Sequence, residues 1–77
     1  MNMKLYGTKN CEPCQIVKKF IKKNNLSIEL VDVAKMSDSE YKNMKVLEIP
    51  LLVDGYIRIR GDVGCIDYLK KKFNLKT

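Results

Sequence analysis

Asn10-Cys11-Glu12-Pro13-Cys14-Gln15 stands between a short apolar run, Met3 to Tyr6, and a stretch with strong helical periodicity. A Cys-x-x-Cys in a strand, turn, helix setting points to redox chemistry. Two cysteines three apart lie one turn apart at a helix start, so their sulfurs can close a small disulfide with little backbone movement. The first sulfur then sits where unpaired N–H groups and the positive end of the helix dipole converge, which favours thiolate over thiol. Cys11 is therefore the expected nucleophile and Cys14 the more shielded partner. Pro13 costs the helix nothing, because a first-turn residue donates no intrahelical bond. Glu12 opposes a charge on Cys11 and Lys9 favours it. The alternatives for such a pair are half of a zinc site or inert packing. Zinc needs four ligands, and the chain has no His and only Cys65 beyond the pair, so no metal site is expected.

The 77 residues leave room for one domain, 1–77, whose short elements must share a core. Hydrophobic residues at 45% suffice for that core. The longest apolar stretches, Leu26 to Val33 and Ile49 to Val53, fall far short of the ~20 residues of a membrane span. Met1 to Tyr6 lacks the apolar region of a signal peptide and reads as a first strand. Three cysteines are not the even set of a secreted disulfide framework, so the expected compartment is the reducing cytoplasm. Fifteen basic against nine acidic residues give a formal charge of +6, which favours acidic partners. The lysines, however, lie opposite apolar stripes and have no interleaved aromatics, so a solvated face is expected rather than a nucleic-acid module.

Outward from the cysteines, Met3, Leu5 and Tyr6 form a strand ending at Gly7. Ile16, Val17, Phe20 and Ile21 give the next helix an apolar stripe backed by Lys18, Lys19, Lys22 and Lys23, and Asn24-Asn25 ends it. Leu26 to Val33 alternates as a strand with Ile28 and Leu30 on one face, completing a βαβ unit. Ser37-Asp38-Ser39-Glu40 has the spacing of a capping box, and Tyr41, Met44 and Leu47 form the expected buried face of a short helix before Pro50. Leu51 to Val53, Asp54-Gly55 and Tyr56 to Arg60 read as a hairpin with a two-residue turn at Asp-Gly, with Ile57 and Ile59 on one face. Asp62 is the expected cap of a last helix bearing Ile66, Leu69 and Phe73 on one stripe, with Lys70-Lys71-Lys72 in its final turn. Cys65 reads most simply as a small, partly buried apolar residue, with a regulatory or metal-binding thiol as the alternative. The order is β-α-β-α-β-β-α, an α/β fold with one four-stranded mixed sheet flanked by three helices.

This order, with Tyr6-Gly7-Thr8-Lys9-Asn10-Cys11-Glu12-Pro13-Cys14 after the first strand and Glu48-Ile49-Pro50 before the third, resembles the glutaredoxin branch of the thioredoxin fold over essentially the whole chain. The resemblance implies a cis Ile49-Pro50 bond lying against the disulfide, with the Ile49 backbone free to pair with an extended substrate. It also implies a thiol-disulfide oxidoreductase that reduces protein disulfides through Cys11 and Cys14. Tyr6, Lys9, Ile49, Pro50, Gly61 and Asp62 would then border the substrate, with core packing the equal alternative for Tyr6. Glutathione-using glutaredoxins usually carry Pro directly after the first Cys, a basic residue three before it, and Thr two before the cis proline. Here those places hold Glu12, Thr8 and Glu48. The expected electron donor is accordingly a thioredoxin-reductase-type system. A glutathione-dependent glutaredoxin is one alternative and an iron–sulfur cluster carrier, from another class, is the second. No cofactor is expected beyond glutathione as a possible co-substrate. The expected partners are disulfide-containing proteins and the electron donor, with no nucleic acid or membrane, and the expected state is a monomer.

Overall fold

The computed structural model describes residues 3–44 and 48–75. Its elements run β1 (Met3–Gly7), α1 (Glu12–Lys23), β2 (Glu29–Asp32), a 3-10 turn (Val33–Lys35), α2 (Asp38–Met44), β3 (Leu51–Asp54), β4 (Ile57–Arg60) and α3 (Asp62–Lys72). The strands form one mixed sheet in the order β2-β1-β3-β4, with β1 and β2 parallel and the other neighbours antiparallel. This is the expected thioredoxin-like architecture, three α-helices on a four-stranded sheet.

Alternation along the strands sorts the core into two layers. On one face, Met3, Leu5 and Leu52 meet Val17 and Ile21 of α1 and Cys65 and Leu69 of α3, with Leu26, Ile28 and Ile59 packed at the margin. On the other, Tyr6 and Leu51 gather Val31, Val33, Met36, Ile49 and Val53. The one-residue step from Leu5 to Tyr6, or from Leu52 to Leu51, moves a side chain from one layer to the other. No helix among the described residues is long and apolar enough to cross a membrane.

Several local expectations are corrected. The buried stripe of α1 is Cys14, Val17 and Ile21, while Ile16 is exposed, because the helix is phased on its buried cysteine. The second strand is confined to Glu29–Asp32, and Leu30 is exposed because β2 lies at the edge of the sheet. The capping box forms as expected, with Glu40 N–H donating to Ser37 Oγ and Ser37 N–H to the Glu40 carboxylate, both at 3.2 Å. Tyr41, however, is exposed: seven residues of α2 cannot cover their face of the sheet. Leu47 and the side chain of Met44 lie outside the described residues.

The hairpin turn is shifted by one residue. Asp54 pairs with Ile57, so the loop is Gly55-Tyr56, and Gly55 carries the positive φ of 62° at its first position. Asp54 stays in the strand because its carboxylate is held from α3: Tyr68 hydroxyl donates to it at 2.5 Å and Lys72 Nζ lies 3.5 Å away. Ile57, next to the turn, is exposed, and Ile59 alone of the pair reaches the core. The cap of α3 is Gly61, at φ 82° and ψ 154°, and Asp62 is the first helical residue. A conformation at positive φ suits glycine, which leaves Asp62 to complement the helix dipole from inside the first turn.

Candidate active site

Strand β1 ends at Gly7, and the loop 8–10 carries the chain to Cys11, which caps α1. Cys11 takes an extended conformation (φ −91°, ψ 108°), and its Sγ accepts the backbone N–H of Cys14 at 3.2 Å. Sulfur thus occupies the place where Ser, Thr or Asp usually set an oxygen to satisfy a free helix-start donor. Cys11 and Cys14 form a disulfide with Cα atoms 5.2 Å apart. The two sulfurs are unequally placed: Cys11 is half-buried and Cys14 is fully buried. Pro13 stands exposed in the first helical turn, beside exposed Glu12.

Two residues that the sequence did not mark shape this end of the molecule. A Cβ on Gly7 would lie 3.0 Å from both Cβ and Sγ of Cys14, so the strand backbone presses directly on the buried cysteine. Gln15 folds its side chain back over the loop, and its amide nitrogen lies 3.1 Å from Lys9 O and 3.4 Å from Thr8 O. The Thr8 carbonyl also receives the Cys11 N–H at 3.5 Å. A strand-ending glycine beside Cys-x-x-Cys was a legible signal for the first. A polar residue on an amphipathic helix gives no such signal for the second.

The Ile49-Pro50 bond is cis, as the resemblance implied, and Pro50 is buried. Tyr6 pairs with Leu51, so the same antiparallel register carries Pro50 to the level of Gly7, the residue that touches Cys14. Gly61 N–H donates to Pro50 O at 3.0 Å, which brings the start of α3 to the same end of the sheet. Glycine at positions 7 and 61, Pro50 and the cysteine pair therefore converge there. Lys9 is exposed, Asp62 is half-buried, and Ile49 packs on the second core layer. Tyr6 is 3% exposed and belongs to that second layer, on the face away from α1 and α3.

Cys65, the third thiol, is fully buried, and its Sγ lies 3.5 Å from Ile59 O. Burial pushes its pKa up to about 11, with the Asp62 charge adding to the effect and a backbone hydrogen bond at Leu52 opposing it. It is a core residue rather than a third redox thiol. No group of three or more His, Cys, Asp or Glu among the described residues is arranged to hold a metal ion.

The family model described as Glutaredoxin matches residues 3–51, from the start of β1 to the start of β3. A search of curated protein sequences gives no match. Among solved structures, a mutant of the thioredoxin-like protein BC3987 superimposes with a TM-score of 0.76 at 29% identity, covering 97% of each chain. Human glutathione-S-transferase T1-1 in its apo form gives 0.80 at 28% identity, over 97% of this chain but only 34% of that one. The glutaredoxin-like NrdH-redoxin from Escherichia coli gives 0.66 at 16% identity, over 80% of this chain and 84% of that one, a likeness of fold.

Proposed function

The chain belongs to the glutaredoxin family, and from that premise we propose that it is a thiol-disulfide oxidoreductase that reduces protein disulfides through Cys11 and Cys14. The observation that carries this reading is the asymmetry of the pair: a half-buried sulfur at the mouth of α1 is joined to a fully buried one a turn inside it.

In the dithiol state the Cys11 thiolate attacks one sulfur of a substrate disulfide. The substrate S–S bond breaks, one substrate thiolate leaves, and a Cys11–substrate mixed disulfide forms. Cys14 then gives up its proton and attacks Cys11 Sγ, closing the intramolecular disulfide and releasing the second substrate thiolate. Two electrons pass from the dithiol to the substrate, and an external donor restores the dithiol. Helix-start N–H groups, including that of Cys14, favour negative charge on Cys11 both as attacking thiolate and as leaving group.

The donor in this reading is a thioredoxin-reductase-type system. Support comes from exposed Glu12 beside Cys11 and exposed Glu48 two residues before Pro50, since carboxylates there repel the carboxylates of glutathione. Exposed Lys9 draws the other way. The test compares reduction of insulin disulfides with NADPH plus thioredoxin reductase against glutathione plus its reductase. Turnover with the first system supports the proposal. Turnover with the second alone makes the protein a glutathione-dependent glutaredoxin, and none with either removes the activity.

A further inference from the structure

We propose that Gln15 is a positioning residue for the redox pair, its side-chain amide tying the β1–α1 loop to the helix so that Cys11 stays at the helix mouth when the disulfide is open. The inference rests on the proposed dithiol cycle and adds to it the residue that holds the open state in place.

A surface glutamine on a helix ordinarily reaches for water. Gln15 instead turns back along α1 to two loop carbonyls, 3.1 Å to Lys9 O and 3.4 Å to Thr8 O. A side-chain amide carries two N–H donors, so both carbonyls can be served at once. Gln15 also donates its backbone N–H to Cys11 O at 3.1 Å, and is thus bound to the chain on both sides of Asn10. The loop it holds is otherwise solvent-facing, with Lys9 and Asn10 exposed.

The two redox states need this tie to different degrees. With the disulfide closed, a covalent ring fixes Cys11 to Cys14 whatever the loop does. Once the bond is broken, Cys11 is held by backbone hydrogen bonds, by the Cys14 N–H on its sulfur, and by the loop that Gln15 clamps. Loss of the amide therefore weakens the dithiol form more than the disulfide form. By the thermodynamic cycle linking folding to reduction, the couple moves toward the disulfide and the dithiol becomes the stronger reductant.

The test uses Gln15→Met, which keeps the shape and removes the donor, and Gln15→Lys, whose ammonium can reach the same two carbonyls. Each protein is equilibrated with dithiothreitol buffers and its dithiol fraction is trapped. Both redox forms are also melted in high salt, which screens the added charge of Lys from the Cys11 sulfur. For Gln15→Met the equilibrium constant should move about fivefold toward the disulfide, as for one or two hydrogen bonds. The melting temperature of the dithiol form should drop by about 4–8 °C, with that of the disulfide form unchanged. Gln15→Lys should restore the melting temperature of the dithiol form. An unshifted equilibrium constant in Gln15→Met, or equal loss of stability in both forms, overturns the assignment, as does failure of Lys to restore. If the wild-type protein does not interconvert in the buffers, the proposed function fails instead.

Discussion

Gly7 and Cys14 are in direct contact across the junction of sheet and helix: a Cβ at position 7 would fall 3.0 Å from both Cβ and Sγ of the buried cysteine. Real Cβ atoms seldom come that close to a neighbour, and neither partner here can swing aside, one being backbone and the other tied in a disulfide. Gly7→Ala must therefore push the first turn of α1 off the strand. A loss of about 1–3 kcal/mol in denaturant unfolding is expected, the range for overpacking a close-packed site. Because the displaced element carries Cys14, the dithiol–disulfide equilibrium should shift as well. A variant with wild-type stability would mean that the contact is looser than these distances describe.

Unequal burial predicts unequal mutants. Cys11→Ser should abolish disulfide reduction, since the half-buried attacking sulfur is gone. Cys14→Ser should still attack but cannot resolve, so a mixed disulfide with the substrate should accumulate and be visible by mass spectrometry. Equal residual turnover in the two variants would reverse the assignment of roles.

Cys65 should be chemically silent in the folded protein. In the disulfide form it is the one free thiol, it is fully buried, and its pKa is pushed up to about 11. An alkylating reagent should leave the native disulfide form unlabelled at neutral pH and add a single label after denaturant is supplied. A group whose pKa is raised on folding stabilises the protein below its unfolded value and loses that contribution as pH rises. The Cys65 contribution should thus be lost from the ordinary 9.0 upward toward about 11. Cys65→Ala should flatten this alkaline decline, read as melting temperature against pH.

The Tyr68 hydroxyl on Asp54 should give an acid-side signature. This hydrogen bond is the main cause holding the Asp54 carboxyl below its ordinary range, with burial opposing and Lys72 assisting. A lowered carboxyl contributes stability above its unfolded value of 3.8 and loses it as pH falls through the folded one. Tyr68→Phe should consequently melt lower than wild type at neutral pH, with the gap closing as the solution is acidified below the carboxylate range. A gap independent of pH would assign the loss to packing alone.

The fold was largely legible because its strongest signals are local and repeated. Alternation in β1 and β3, the helical stripe of α1 and the Ser37–Glu40 box each specify an element without reference to the rest. The errors lie where a distant partner decides. The turn moved to Gly55-Tyr56 because Asp54 is held by Tyr68, fourteen positions away. Gly61 took the cap that Asp62 was expected to fill because its N–H answers Pro50 O. Leu30 and Tyr41 look like core residues in sequence and are exposed, since an edge strand and a two-turn helix have too little around them to cover every apolar side chain they carry. Within the site, the cysteines and Pro50 could be read directly. Gly7 was legible as the glycine that ends the strand, though not its contact with Cys14, and Gln15 could not be read, because its contact is made only after the loop has folded back.

The family model stops at residue 51, but the surroundings of the disulfide do not. Gly61 answers Pro50, while Cys65 and Leu69 fill the layer beneath Leu5 and Val17. A fragment ending after β3 would keep both sulfurs and their spacing yet lose the residues of α3 that pack with Val17, one turn beyond Cys14. Its reactivity should drift toward that of any dithiol peptide. Support for the helix that carries the disulfide thus comes in part from the carboxy-terminal third, which contributes neither of its sulfurs.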